Sequence, residues 1–159
     1  MENIVETLTI IVVVLAVLGL GVTYGTDAFA GAVWNAALGK LDEASLTQVS
    51  GWVHHFGDRR LPVPGAIGTI SATVAAILGW IDGDLTQALL RTVAAVCAFA
   101  WLGVYVGVAK PINERFSAAA AEGVTLPHAR AEHAAWNRII PIRVGLLMLT
   151  LALLVVSVA

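Results

Sequence analysis

Four stretches of this chain carry no charged side chain over roughly the length of a bilayer crossing. They run from Thr7 to Thr26, Leu61 to Ile81, Thr92 to Ala109 and Val144 to Ala159. A membrane's hydrocarbon core is about 30 Å thick and takes about 20 apolar residues to cross as a helix. An open strand cannot satisfy its backbone groups in lipid, so each run reads as a helix. The fourth reaches full length once Ile139 to Arg143 join it. The expected fold is all-α, an integral membrane four-helix bundle forming one domain over 1–159, with spans at about 5–26, 61–81, 89–109 and 139–159. Composition agrees: 58% of the residues are apolar and 13% charged, against about 50% and about 25% in soluble domains. The first run reads as a span rather than a signal peptide, because its flank carries Glu2 and Glu6 and no base.

A net charge of −2 excludes a polybasic nucleic-acid binder. Cys97 is the single cysteine, which excludes an internal disulfide and a Cys-based zinc site. Orientation follows the bases. Lys40, Arg59, Arg60, Lys110, Arg115, Arg130, Arg138 and Arg143 fall on the side of the two long loops, and only Arg91 on the side of the termini. The positive-inside rule then makes the long loops cytoplasmic and puts both termini outside. Trp80 and Trp136 suit the two membrane interfaces.

The connections have structure of their own. Apolar sequence continues past Asp27 to Leu38, so the first helix is expected to run on beyond the surface or tilt within it. Ser45-Leu46-Thr47-Gln48 reads as a capping box. It opens a short amphipathic helix over 45–56 that lies against the membrane surface or caps the bundle, with Leu46, Val49, Val53 and Phe56 on its apolar face and Gly57 at its end. His54, His55 and Asp58 then share the opposite face. Leu61-Pro62-Val63-Pro64-Gly65 turns the chain into the second span, and Lys110-Pro111-Ile112-Asn113 ends the third. A helix opened by Thr125 and Pro127 carries His128, His133 and Trp136 and meets Pro141, where a kink is expected. Gly21/Gly25 and Gly103/Gly107 are expected packing seams inside the bundle.

Thr23, Asp27, Gly31 and Asn35 are spaced by four and line one face of the first helix. A polar stripe on an apolar helix should face protein, so Asp27 is expected to meet Arg143, Asn113 or a loop histidine. All four histidines fall on the long-loop side. They read either as acid–base groups or metal ligands, or as solvated surface residues. No His-Glu-x-x-His or i,i+4 histidine pair is present, so no metal or other cofactor is expected; the alternative is a transition metal held by His54, His55, His128 and His133. Haem is disfavoured because no span contains a histidine. Phosphate loops and a Gly-x-Ser-x-Gly elbow are absent, and four spans are too few for an inverted-repeat transporter. Any active centre is expected at the cytoplasmic mouth, where the long loops converge.

Taken together, Gly25-Thr26-Asp27, the run from His54/His55 and Asp58 through Arg59-Arg60-Leu61-Pro62-Val63-Pro64-Gly65, Lys110-Pro111-Ile112-Asn113, and Trp136-Asn137-Arg138-Ile139-Ile140 leading to Arg143 carry a resemblance. The chain resembles a family of small four-span bacterial and fungal membrane proteins that includes anthrone-oxygenase-like members. Where many of those relatives have a His before the final Arg, this chain has Ile140 or Pro141. The resemblance implies a bacterial plasma membrane and cofactor-independent oxygenation of a flat aromatic substrate entering from the bilayer. In that reading His54 or His55, oriented by Asp58, is the base. Asn113, Arg138 and Arg143 steady the oxyanion, Asp27 lies in the substrate pocket, and Trp34 and Trp136 stack on the rings. Membrane lipid, an apolar aromatic molecule and a second copy of the chain are the candidate partners. The rival reading is a non-enzymatic accessory subunit or a lipid- or small-ligand-binding bundle.

Overall fold

The structure is a computed structural model that describes residues 2–159, with side chains from Ile4 onward. Glu2's side chain therefore lies outside the described residues. Every element is helical, and no strand occurs among the described residues. Helix α1 covers Glu2–Phe29, α2 Asn35–Leu38, α3 Glu43–Arg60, α4 Pro62–Asp82, α5 Leu85–Val104, α6 Lys110–Ala121 and α7 Ala129–Val156. Two π-helical turns, Ala30–Trp34 and Tyr105–Ala109, join α1 to α2 and α5 to α6 without a break.

Four segments are long and apolar enough to cross a membrane: Ile4–Leu38, Pro62–Asp82, Leu85–Ala121 and Ala129–Val156. At 1.5 Å per residue the first, of 35 residues, and the third, of 37, are each over 50 Å long. They exceed the hydrocarbon core by about 20 Å. The helices thus run past the expected span ends. The helix of the third span does not stop at Lys110-Pro111. Pro111 has no N–H for the carbonyl four residues back, and the π-helical turn ahead of it, closed by Lys110 N–H to Tyr105 O, carries the helix onward.

The first long connection also differs. The N-cap of α3 is Asp42, whose Oδ1 accepts from the Ser45 backbone N–H at 2.8 Å and whose Oδ2 accepts from the Ser45 hydroxyl at 2.9 Å. A carboxylate three residues upstream outcompetes the Ser45 capping box, and the helix starts earlier than 45. It also passes through Gly57 to Arg60. Leu61, itself αR, is the only residue between α3 and α4, so the Pro-rich segment is a helix junction rather than a turn. Pro62 and Pro64 fall in the first turn of α4, where a missing N–H costs nothing. At the other connection His128 takes φ 58°, and α7 begins at Ala129 and runs through Pro141.

Two cores stack end to end. Val13, Ala16, Leu20, Ala72, Ala94, Ala98, Leu147 and Leu154 pack α1, α4, α5 and α7 together. Leu38, Leu46, Ile112, Phe116, Trp136 and Ile140 fill the second, beyond the short α4. Around the first core Leu18, Ile70, Ile77, Val96, Phe99 and Met148 are exposed, as suits a surface solvated by lipid. The seams are not the expected ones. A Cβ on Gly21, Gly25, Gly103 or Gly107 would meet nothing within 4 Å. The close approach is Gly19 on Gly68, where a Cβ on Gly19 would lie 2.5 Å from Pro64 O and 2.7 Å from Gly68 N. A second is Gly51, whose Cβ would lie 2.4 Å from Phe116 O. Spacing alone does not say which face of a helix a pair of glycines occupies.

Candidate functional site

Where the two cores meet, α1 turns a carboxylate inward. Asp27 is buried and pairs with buried Arg143 of α7 at 2.8 Å. Trp101 on α5 donates its Nε1–H to the other oxygen of Asp27 at 3.0 Å. The guanidinium also sits over three rings, with its carbon 5.7 Å from the Trp101 centroid, 5.6 Å from Tyr105 and 5.9 Å from Trp136. A delocalised, weakly hydrated cation suits such a cage better than an ammonium would. The expectation that Asp27 faces the bundle and meets Arg143 holds. The stripe continues on the bundle side: Ala30 is buried after Asp27, and a Cβ on Gly31 would lie 2.9 Å from the Ile140 side chain of α7.

A second carboxylate arrives from α3. Asp58 accepts from the Tyr105 hydroxyl at 2.8 Å and from the Asn113 amide at 3.0 and 3.2 Å. It reaches these because most of the expected apolar face of α3 points away from the bundle, the arrangement of a helix set against the membrane surface. Leu46, Thr47, Ser50 and Gly51 are its buried residues, while Val49, Trp52, Val53 and Phe56 are exposed. Gly51 allows backbone contact with α6. His54 and Asp58, one and two turns beyond Ser50 and Gly51, therefore face the bundle.

Between α1 with its π-helical turn and α3 lies a cavity of about 310 Å³. Its lining includes Asp27, Trp34, His54, Asp58, Asn113, Trp136 and Arg143, residues that sequence reading had singled out. Thr26, Phe29, Ala30, Val53, Gly57, Leu61 and Tyr105 complete it. Both π-helical turns border it, through Ala30 and Trp34 on one side and Tyr105 on the other. Three of its residues hold a buried polar atom that has no hydrogen-bond partner among the described residues: Asn113 Oδ1, Trp136 Nε1 and Arg143 Nε.

His54 rings lie 5.4 Å from Trp136 and 6.1 Å from Phe116. His133 stacks on Trp136 at 6.4 Å. Burial, and then the positive charge of His133 and Arg143, push the His54 imidazole down to about 4. It is neutral at pH 7.

His55 and Arg138 do not line the cavity. His55 bonds Arg59 and is edge-on to Trp52, and Arg138 is exposed. No hydrogen bond joins Asp58 to either histidine among the described residues; Tyr105 and Asn113 engage it instead. Asn113 has spent its amide hydrogens on Asp58 and offers only Oδ1. Trp136 is buried rather than set in a lipid-facing belt, whereas Trp80 is exposed and donates to Thr92 Oγ1 at 3.0 Å. Among the described residues no three His, Cys, Asp or Glu side chains converge on one point, so His54, His55, His128 and His133 do not form a metal cage. Trp101 and Tyr105 were missed. Their signal was a pair of rings with polar tips, four residues apart inside an uncharged span, where each tip needs a partner.

Comparison with protein-family models, curated proteins and solved structures finds no match for this chain.

Proposed function

We propose that this multi-pass membrane protein takes a planar, oxygen-bearing ring into the α1/α3 cavity, and that His54 removes a proton from it. The observation that supports this most is the set of unpartnered buried atoms on cavity residues. Trp136 Nε1–H and Arg143 Nε–H are donors, and Asn113 Oδ1 an acceptor, left without a partner on residues that line the cavity. Trp34, Trp136 and Phe29 supply flat apolar walls.

An anthrone fits this chemistry. Its methylene C–H is acidic because the carbanion is delocalised onto the ring oxygen. Neutral His54 takes the proton, and Trp136 and Arg143 hold the developing oxyanion. The carbanion then reduces O₂, a carbon–oxygen bond forms, protonated His54 returns its proton to the peroxide, and the hydroperoxide loses its remaining C–H proton and hydroxide as water. One O₂ enters, one water leaves, and the methylene carbon becomes a carbonyl.

A binding bundle without turnover is the second reading. It is favoured by the neutralisation of Arg143 by Asp27 and by the engagement of Asp58 away from His54. O₂ uptake by the protein in nanodiscs with anthrone separates the two. The oxygenase reading predicts turnover that falls at least tenfold in His54→Gln with anthrone binding retained. Binding without uptake leaves the second reading, and absence of both overturns the two together. The cavity end carries eight of the nine bases, so we place it in the cytoplasm of a bacterial cell, with both termini outside. Cysteines at Gly83 and Gly123 should then label from opposite sides of a sealed membrane.

A further inference from the structure

A second cavity, of about 520 Å³, lies between α4 and α5. Ala66, Ile70, Val74, Phe99 and Leu102 form much of its wall. Ile70 and Phe99 are more than half exposed, so it opens along the surface that faces lipid. The hydroxyl of Thr73, on the same wall, donates to Thr69 O of its own helix at 2.9 Å and offers the groove little polarity. From Leu61 to Val74 the wall is fourteen residues, thirteen helical rises or about 20 Å. That is longer than half of the hydrocarbon core, about 15 Å, the depth one lipid chain occupies.

The inner end of the groove abuts the α1/α3 cavity. Leu61, Tyr105 and Arg143 line both it and the α1/α3 cavity. Arg143 is the one charged residue of the groove, and it stands at the shared end. Small residues, Gly65 and Ala66, lie beside that junction, and a Cβ on Gly65 would come no closer than 3.6 Å to Thr23 or 4.0 Å to Trp101. A polar, aromatic chamber thus adjoins an apolar groove of lipid-chain length, with Leu61, Tyr105 and Arg143 common to both walls.

Building on the ring-binding function above, we infer that the natural ligand is a ring-and-tail lipid. Its oxygen-bearing ring sits in the α1/α3 cavity, and a linear prenyl or alkyl chain of the same molecule lies along the α4/α5 groove. Bulk lipid is the solvent of the groove, and the tail displaces it because the ring is anchored at Arg143.

The test compares two probes in nanodiscs, 1,4-naphthoquinone and the same ring bearing a decyl chain, with affinities expressed per concentration in the lipid phase. The decyl compound should bind at least tenfold more tightly. Ala66→Trp and Thr73→Phe fill the groove from exposed or half-exposed positions. Each should remove that advantage while leaving the affinity for naphthoquinone within twofold. A photoreactive diazirine at the chain end should label α4 or α5 of the unmodified protein, which guards against a variant that fails to fold. If naphthoquinone binds and the chain adds nothing, or if its advantage survives in both variants, the ring-and-tail inference is overturned and the ring-binding function stands. If neither compound binds saturably, both fall.

Discussion

Asp27 and Arg143 lie 116 residues apart in the chain and 2.8 Å apart in the fold, each about 5% exposed. Each would be costly alone at this depth. The pair closes α1 on α7 at the junction of the two cores, and Trp101 saturates the second carboxylate oxygen.

Removing one partner should therefore cost more than removing both. Asp27→Leu or Arg143→Leu alone leaves a buried charge unmatched, a loss of about 3–5 kcal/mol in comparable buried pairs. Asp27→Leu combined with Arg143→Leu should recover part of that loss. Thermal unfolding of the four proteins in one detergent reads the difference. Strict additivity would mean that the two side chains do not depend on each other.

The low pKa of His54 predicts an acid-side loss of stability with a defined window. An unfolded imidazole titrates near 6.5 and this one near 4. Between those values the unfolded chain binds a proton that the native chain refuses. The contribution is complete above about pH 6.5 and is lost as pH falls toward 4. His54→Gln should flatten this part of the profile relative to the unmodified protein. Equal slopes in the two proteins from pH 6.5 to 4 would show that His54 titrates normally in the fold.

The glycine positions separate packing from spacing. Gly19→Val drives a side chain into the α4 backbone and should destabilise strongly. Gly103→Ala meets open space and should be neutral, or stabilising by up to about 1 kcal/mol through helix propensity. Melting temperatures of the two variants check the contrast, and comparable losses in both would contradict it.

The sequence made the four spans legible because lipid tolerates no charge in a crossing helix, so Arg91 and Lys110 bracket the third as clearly as a loop would. Asp27 was legible for the same reason, and its face held Thr23 beside it. The π-helical turns were not. Each is closed by a hydrogen bond to the carbonyl five residues back, Asn35 N–H to Ala30 O and Lys110 N–H to Tyr105 O, which hydrophobic patterning does not reveal, and each shifts the facing of the residues after it. The facing of α3 was hidden too. Its buried side is made of Thr47, Ser50 and Gly51, small residues chosen for close approach to α6, and its larger apolar residues point outward. Hydrophobic periodicity finds the larger apolar face but does not say whether lipid or protein covers it. The role of Asp58 followed from this facing and from Tyr105, a partner that only the folded third helix brings near.

The central claim is that the α1/α3 cavity is a binding site for a planar ring, and one position probes it with little disturbance. Gly57 lines the cavity, and a Cβ there would meet only Leu61 Cδ1, at 3.8 Å. Gly57→Phe should place a ring in the cavity itself. Equilibrium binding of anthraquinone, followed by tryptophan fluorescence in nanodiscs, should be saturable in the unmodified protein and at least tenfold weaker in Gly57→Phe, with the melting temperature held within a few degrees. Absence of saturable binding, or equal affinity in the two proteins, would contradict the account.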